Sequence, residues 1–385
     1  MLEIMLDVNG WQGLFDFTNG EELPMEGKPY LDLAKKITAE HPYPGDLNPD
    51  TVKWTTDTAL DVCREYDPQL MLLSYATADI MRINSKIDET EAKRISAEVI
   101  SEAMRFAKTA GYEPIIISTG SLRPIDKLVV TEDIEGYFHV SADAYLGGVF
   151  GATEKDFETV KNLEGVRTET RQEFIDKYNI TGDYALERMP DIVLYADDDY
   201  ALTNTGGRGT TLEMIHRKTA STKIFSEIPD LPDDIFEFRT FVDGLLAQGR
   251  RIAVIIAESV DDEDMPEGSK DIKRIRDGIC YAEGVPFYYA LLNGKPFNAP
   301  DMPFIFHNPF LKKFFRDRYP YSYVKTDSYQ DPIGFNRDFK TASMGTRSGI
   351  FHSACMCDYS FECHCRGLAE SGVLAFINGD KLAKD

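Results

Sequence analysis

The stretch from Pro68 to Pro124 constrains the fold more than any other part of the chain. It opens on an apolar run of strand length, Gln69 to Tyr75, and continues into a segment carrying Asp79 and Arg82 that reads as exposed. Ala92, Ile95, Val99, Ala103, Phe106 and Ala110 then recur at the spacing that lines one face of a helix. Asp88 and Glu91 have capping-box spacing at its start, and Gly111 stands where a left-handed C-terminal cap belongs. A second apolar run, Ile115 to Ile117, stops at Ser118-Thr119-Gly120. Strand, long helix, strand and small-residue turn make a crossover unit, which requires parallel strands. The predicted fold is therefore α/β, a mainly parallel central sheet with helices on both faces, plus an irregular Cys-rich C-terminal region. Ligands of such sheets bind beyond the carboxyl ends of the strands. Asp79 and the Ser118–Gly120 turn consequently mark the edge of a site.

The same patterning predicts strands at Leu2–Leu6, Pro190–Tyr195 and Arg251–Ala257, the last the clearest in the second half. It predicts helices at Leu31–Ala39, Asp50–Glu65, Leu212–Lys218 and Phe236–Leu246, with a charged helical cover over Ala152–Tyr178. His139 lies in an alternating run and reads as a structural histidine, and Asp197-Asp198-Asp199 as a solvated turn. Glu258 and Asp261–Asp264 follow a strand at its carboxyl end. A boundary near Pro266–Lys270 separates an α/β core, 1–265, from an aromatic- and Cys-rich region, 266–385.

Formal net charge is −23, from 65 acidic and 42 basic residues, which repels nucleic acid and anionic lipid at long range. A small anionic metabolite is compatible with that charge if local arginines and backbone N–H groups hold it. No apolar run is long enough to span a bilayer, and the first residues lack a signal-peptide pattern. The expectation is a cytoplasmic protein with no membrane partner, and the aromatic C-terminal region offers a surface for homo-oligomer contacts.

Two motifs carry chemistry. Thr203 to Thr211 contains Gly206-Gly207-Arg208-Gly209 ahead of the predicted helix at Leu212. Glycines let backbone N–H groups approach an anion, the helix start adds unpaired donors, and Arg208 supplies a fork for phosphate or carboxylate. The second motif is Cys355-x-Cys357-x5-Cys363-x-Cys365, with His352 just before it. Four thiols in one short turn can surround a soft cation, zinc before an iron–sulfur cluster, because the spacing follows no ferredoxin pattern. The plainer reading is reduced, partly buried thiols.

Asn48 to Gly120, with Met189 to Phe225, resembles the alkaline phosphatase superfamily, especially its nucleotide pyrophosphatase and phosphodiesterase branch. Asp67-Pro68-Gln69-Leu70 begins the matching strand, and Asp79 falls near that family's metal-binding aspartate. The resemblance implies a two-metal α/β hydrolase. This chain departs from it at the ligands: Ser118-Thr119-Gly120 stands where the family has Asp-His-Gly, Arg82 and Ile83 where a histidine follows, and Arg208 in the loop of the last histidine. Thr18 is a conceivable nucleophile. A two-zinc mechanism then lacks its ligands.

These features point to an enzyme, hydrolase or transferase, acting on a small phosphate- or carboxylate-bearing metabolite. Thr119, Gly120, Gly206, Gly207 and Arg208 would bind the anion, and Asp79 would serve as base or ligand. One alternative is a non-catalytic binding or assembly subunit with a structural zinc at Cys355, Cys357, Cys363 and Cys365. Another makes that cysteine cluster a redox or metal-transfer centre.

Overall fold

Three apolar runs, two from the crossover unit and one from far downstream, become neighbours at the centre of one sheet. The computed structural model describes residues 2–8, 11–16, 21–28, 30–85, 87–129, 131–140, 144–181, 183–202, 214–276, 279–282, 284–296, 310, 339–355, 357–366 and 370–382.

The chain begins with β1 (Leu2–Val8), β2 (Trp11–Asp16) and β3 (Glu21–Leu23), followed by α1 (Leu31–Glu40) and α2 (Thr51–Tyr66). Then come β4 (Leu70–Tyr75), α3 (Thr77–Asn84), α4 (Glu89–Ala110) and β5 (Glu113–Ser118). An insertion follows, with β6 (Leu122–Pro124), β7 (Lys127–Val129), β8 (Tyr137–Val140), β9 (Leu146–Phe150), α5 (Glu154–Lys161) and β10 (Val166–Thr170). It continues through α6 (Arg171–Tyr178), α7 (Asp183–Arg188), β11 (Ile192–Ala196), β12 (Tyr200–Leu202) and β13 (Met214–His216). The chain returns as β14 (Ser221–Phe225), α8 (Phe238–Ala247), β15 (Ile252–Ala257), β16 (Lys270–Lys273), β17 (Ile275–Arg276), β18 (Ile279–Cys280) and α9 (Gly284–Asn293). Then come β19 (Thr341–Gly345), a helix Ser348–Cys355, β20 (Tyr359–Arg366), β21 (Glu370–Asn378) and a short helix Gly379–Leu382.

Among the described residues the main sheet has eleven strands, in the order β16-β14-β5-β15-β4-β19-β20-β21-β1-β2-β3. Its centre, β5-β15-β4-β19-β20, is parallel. Both flanks are antiparallel, so the sheet is mixed where a mainly parallel one is expected. Two of these pairs have a local reason: β1–β2 and β20–β21 are joined by connections too short for a crossover, which leaves the hairpin as the only pairing, whereas β1–β21 and β5–β14 join distant segments.

The central strands are buried on both sides, as crossover connections dictate. Leu70, Leu72, Ile115, Ile117, Val254 and Ile256 face a core shared with α8, α9 and the helix Ser348–Cys355. Met71, Leu73, Ile116, Ala253 and Ile255 face the core under α1, α2 and α4. The α4 pattern holds in detail: Ala92, Ile95, Val99, Ala103 and Phe106 are buried, the Asp88 carboxylate accepts from Glu91 N–H at 2.8 Å, and Gly111 adopts φ 72°. A fully buried Phe106 alone contributes about 1.5–3 kcal/mol to this face.

The C-terminal stretch is not irregular where it is described. β16, β19, β20 and β21 all belong to the main sheet, which therefore draws strands from both sides of residue 265. Two helix expectations also change. Val166–Thr170 interrupts the Ala152–Tyr178 cover as a strand, because it pairs with β11. Leu212–Lys218 is no helix in its described part: β13 pairs with β6, setting Met214, Ile215 and His216 against Pro124, Arg123 and Leu122. Long-range pairing outweighs weak local propensity there. Asp197, Asp198 and Asp199 form an exposed turn. No helix among the described residues is long and apolar enough to cross a membrane.

Candidate functional site

The carboxyl ends of β5, β15, β4 and β19 lie side by side, and each runs into a polar turn: Ser118-Thr119-Gly120, Glu258-Ser259, Ala76–Asp79 and Thr346-Arg347. Buried ionisable and hydroxyl groups concentrate at this edge.

Asp79 sits in the first turn of α3, where the helix dipole favours a carboxylate. The segment expected to be exposed is instead a buried helix, with Asp79 1% and Arg82 6% accessible. Both charges are met by partners, which makes their burial tolerable. His216 Nε2 lies 2.8 Å from Asp79 Oδ1, and Ser259 Oγ donates to the same oxygen at 2.5 Å. Arg347 Nη2 is 3.7 Å from Oδ2. Burial pushes the Asp79 carboxyl up, but His216, then Arg347 and the Ser259 hydrogen bond, hold it below the usual carboxylate range. Arg82 forks onto Glu89 at 2.8 and 3.1 Å and reaches Asp261 at 3.5 Å.

Ser259 adopts φ 56°, a left-handed conformation that favours glycine. Its N–H donates to Thr119 Oγ1 at 3.0 Å, which ties the end of β15 to the end of β5. Glu258 beside it accepts from Tyr288 OH at 2.5 Å and Ser74 Oγ at 3.2 Å, and Arg347 Nε lies 3.3 Å from its other oxygen. Arg347 therefore bridges two buried carboxylates at this edge.

The Thr119–Gly120 turn is fastened from behind by Arg274, a fully buried side chain. Arg274 donates to the carbonyls of Thr119, Arg217, Thr219 and Ala282 and to Thr219 Oγ1. Gly120 has φ 83°, and a Cβ there would stand 3.3 Å from Arg274 Nη2. The β6–β13 pair and the Arg217 N–H to Ser121 carbonyl bond (3.0 Å) close the neck of the insertion, which returns His216 to this turn.

A cleft of about 480 Å³ opens beside the cluster. Arg82, Lys93 and Arg217 line it, facing Asp261, Asp262 and Glu263. Each buried group has a chain neighbour on its wall: Arg82 is one turn from Asp79, Arg217 follows His216, and Asp261 follows Ser259 by two residues. Arg82 is already committed to carboxylates, whereas no ion pair is formed by Lys93 or Arg217 among the described residues. Those two cations stand out in a chain of charge −23.

Of the residues singled out from the sequence, Asp79, Thr119 and Gly120 meet at this edge. Gly206, Gly207, Arg208 and Thr18 lie outside the described residues. His216 was missed, although it closes the Gly-rich segment, because it was read into a helix. The turn after β5 supplies no carboxylate or imidazole, and its hydroxyls are engaged: Ser118 Oγ donates to Val260 O at 2.5 Å and Thr119 Oγ1 accepts from Ser259. The donor set of a two-zinc centre is therefore not assembled here among the described residues.

The cysteines divide between two cores. Cys355 and Cys357 face α8 and α9, their sulfurs 3.7 Å apart, while Cys363 faces α1, α2 and α4 across the sheet. A tetrahedral ion needs all its sulfurs within about 2.3 Å of one point, which this arrangement does not allow for Cys363 with the other two. Burial pushes the Cys363 thiol well up, so it stays protonated. The Cys365 side chain lies outside the described residues. No protein-family model, no curated protein and no solved structure matches the chain.

Proposed function

We propose that the chain is an enzyme, a hydrolase or transferase, acting on a small phosphate- or carboxylate-bearing metabolite held in the cleft beyond β5 and β15. The observation that carries this reading is the Asp79–His216–Ser259 cluster, assembled from three distant parts of the chain beside a cleft in which neither Lys93 nor Arg217 forms an ion pair among the described residues. A depressed carboxyl is a weak base, so Asp79 serves better as the group that orients His216. With Asp79 fixing Nε2 as the protonated nitrogen, proton exchange with substrate falls to Nδ1 of His216, the division of labour seen wherever a carboxylate positions a catalytic imidazole. Lys93 and Arg217 would hold the anion, and Arg347 would balance Asp79 and Glu258.

One observation favours a second reading. Asp79 and His216 are 1% exposed and Ser259 is 0% exposed, as a polar core of a non-catalytic binding subunit would be. Titration with inorganic phosphate and with malonate, followed by calorimetry, tests the site itself. Saturable binding that Arg217→Ala weakens by roughly 1.5–3 kcal/mol is expected, the range for hydrogen bonds to charged groups. Binding of neither anion, or binding indifferent to Arg217→Ala, would remove the cleft from consideration.

A further inference from the structure

We infer that Glu40, His41 and Asp61 form a binding site for one zinc ion, sharing no residue with the Asp79 cluster, that clamps the end of α1 to α2. Glu40 is the last residue of α1, His41 its C-cap and Asp61 a residue of α2. One donor atom from each lies within 4.8 Å of the other two. Asp61 is 4% exposed, so its carboxylate points inward against the helix pair instead of into solvent. One of its oxygens is 2.6 Å from His41 Nε2, and the other faces the Arg64 guanidinium. A buried carboxylate needs a cation close by.

At present that cation is Arg64, whose guanidinium lies against the same oxygen from the exposed side of α2. The Arg64 side chain is 73% exposed, so moving it into water costs little. The last turn of α1 carries no basic residue, which leaves its negative end uncompensated beside Glu40 and His41. The histidine is also held in place. Its N–H donates to Ile37 O at 3.0 Å, and its carbonyl accepts from the Trp54 indole at 2.9 Å.

Donor chemistry selects the ion. One imidazole with two carboxylates suits zinc, whereas magnesium and calcium prefer oxygen alone and copper(I) prefers sulfur. Three protein ligands leave a fourth tetrahedral position for water. The site also has a route to the sheet. Past His41 the chain carries Tyr43, which packs edge-on to Trp54 at 5.0 Å and donates to Asp46, whose charge bears on Glu362 and Cys363 of β20. An ion at His41 would brace that connection.

Trp54 makes the test direct, because the chain has only two tryptophans. Zinc chloride is titrated into the chelator-treated full chain carrying Trp11→Phe, with Trp54 fluorescence and equilibrium dialysis as readouts. One saturable equivalent is expected that perturbs Trp54. His41→Ala should weaken binding by at least about tenfold, as losing a ligand does at least as much harm as losing a ligand's support. Arg64→Ala should tighten it, because the competing guanidinium is gone, and excess magnesium should not displace the ion. Glu40→Gln, at an exposed position, tests the third ligand should Asp61→Asn fail to fold. Zinc binding unchanged by His41→Ala, zinc binding weakened by Arg64→Ala, or no zinc bound by the parent chain would each overturn the assignment.

Discussion

Glu362 gives the sharpest stability prediction. It lies in β20, 4% exposed, at the level of Gly345 on the parallel neighbour β19. Burial raises its carboxyl from 4.5 to about 8; Gly349 N–H and Arg347 oppose the rise, and Asp46 and Glu258 add to it. The folded protein therefore holds a proton at Glu362 that the unfolded chain has released once the pH exceeds its ordinary value. Since the native state binds more protons across that window, stability falls as pH rises from about 4.5 to about 8. At about 1.4 kcal/mol per unit the full window is worth about 5 kcal/mol, and about 3 kcal/mol of it is already lost at pH 7. Glu362→Gln removes the proton and keeps an oxygen to accept from Gly349 N–H, which lies 2.5 Å from Oε2. The variant should be more stable than the parent by about 3 kcal/mol at pH 7, with the gap closing toward pH 5. Urea unfolding at several pH values, comparing parent and variant, measures this gap. A gap that stays constant from pH 5 to pH 8 would refute the buried, protonated carboxyl.

Two further substitutions probe the strand ends. Gly345 has φ 116°, and an added Cβ would stand 2.0 Å from the Ser74 carbonyl oxygen, so Gly345→Ala should cost about 3 kcal/mol or more by chemical denaturation. Arg274→Met should cost more than about 4 kcal/mol, because the carbonyls of Thr119, Arg217, Thr219 and Ala282 lose a buried donor at about 1–3 kcal/mol each; a cost below 1 kcal/mol would show that water replaces it.

Much of the central sheet was legible because its signals are local. The Asp88 cap, the apolar stripe from Ala92 to Phe106 and Gly111 all lie within one helix, and β15 is an unbroken apolar run. The antiparallel flanks were not legible, since pairing β1 with both β2 and β21 joins the two ends of the chain. β20 hid behind its cysteines. Tyr359, Phe361 and Cys363 alternate toward one core with Ser360 and Glu362 between them, a period-two strand that metal spacing made easy to misread. At the candidate site Asp79 was found because it follows a strand. His216 and Ser259 come from 137 and 180 residues away, and only folding makes them its partners.

The most direct test of the proposed chemistry is substrate consumption. The purified chain and its His216→Asn variant, each verified as folded by thermal unfolding, are incubated with a mixed extract of small metabolites and followed by mass spectrometry. At least one phosphate- or carboxylate-bearing species should be consumed by the parent chain and spared by the variant, with Asp79→Asn slower than the parent. Identical metabolite profiles for the parent and both variants would contradict a catalytic role for the Asp79–His216 pair and leave it as part of the polar core.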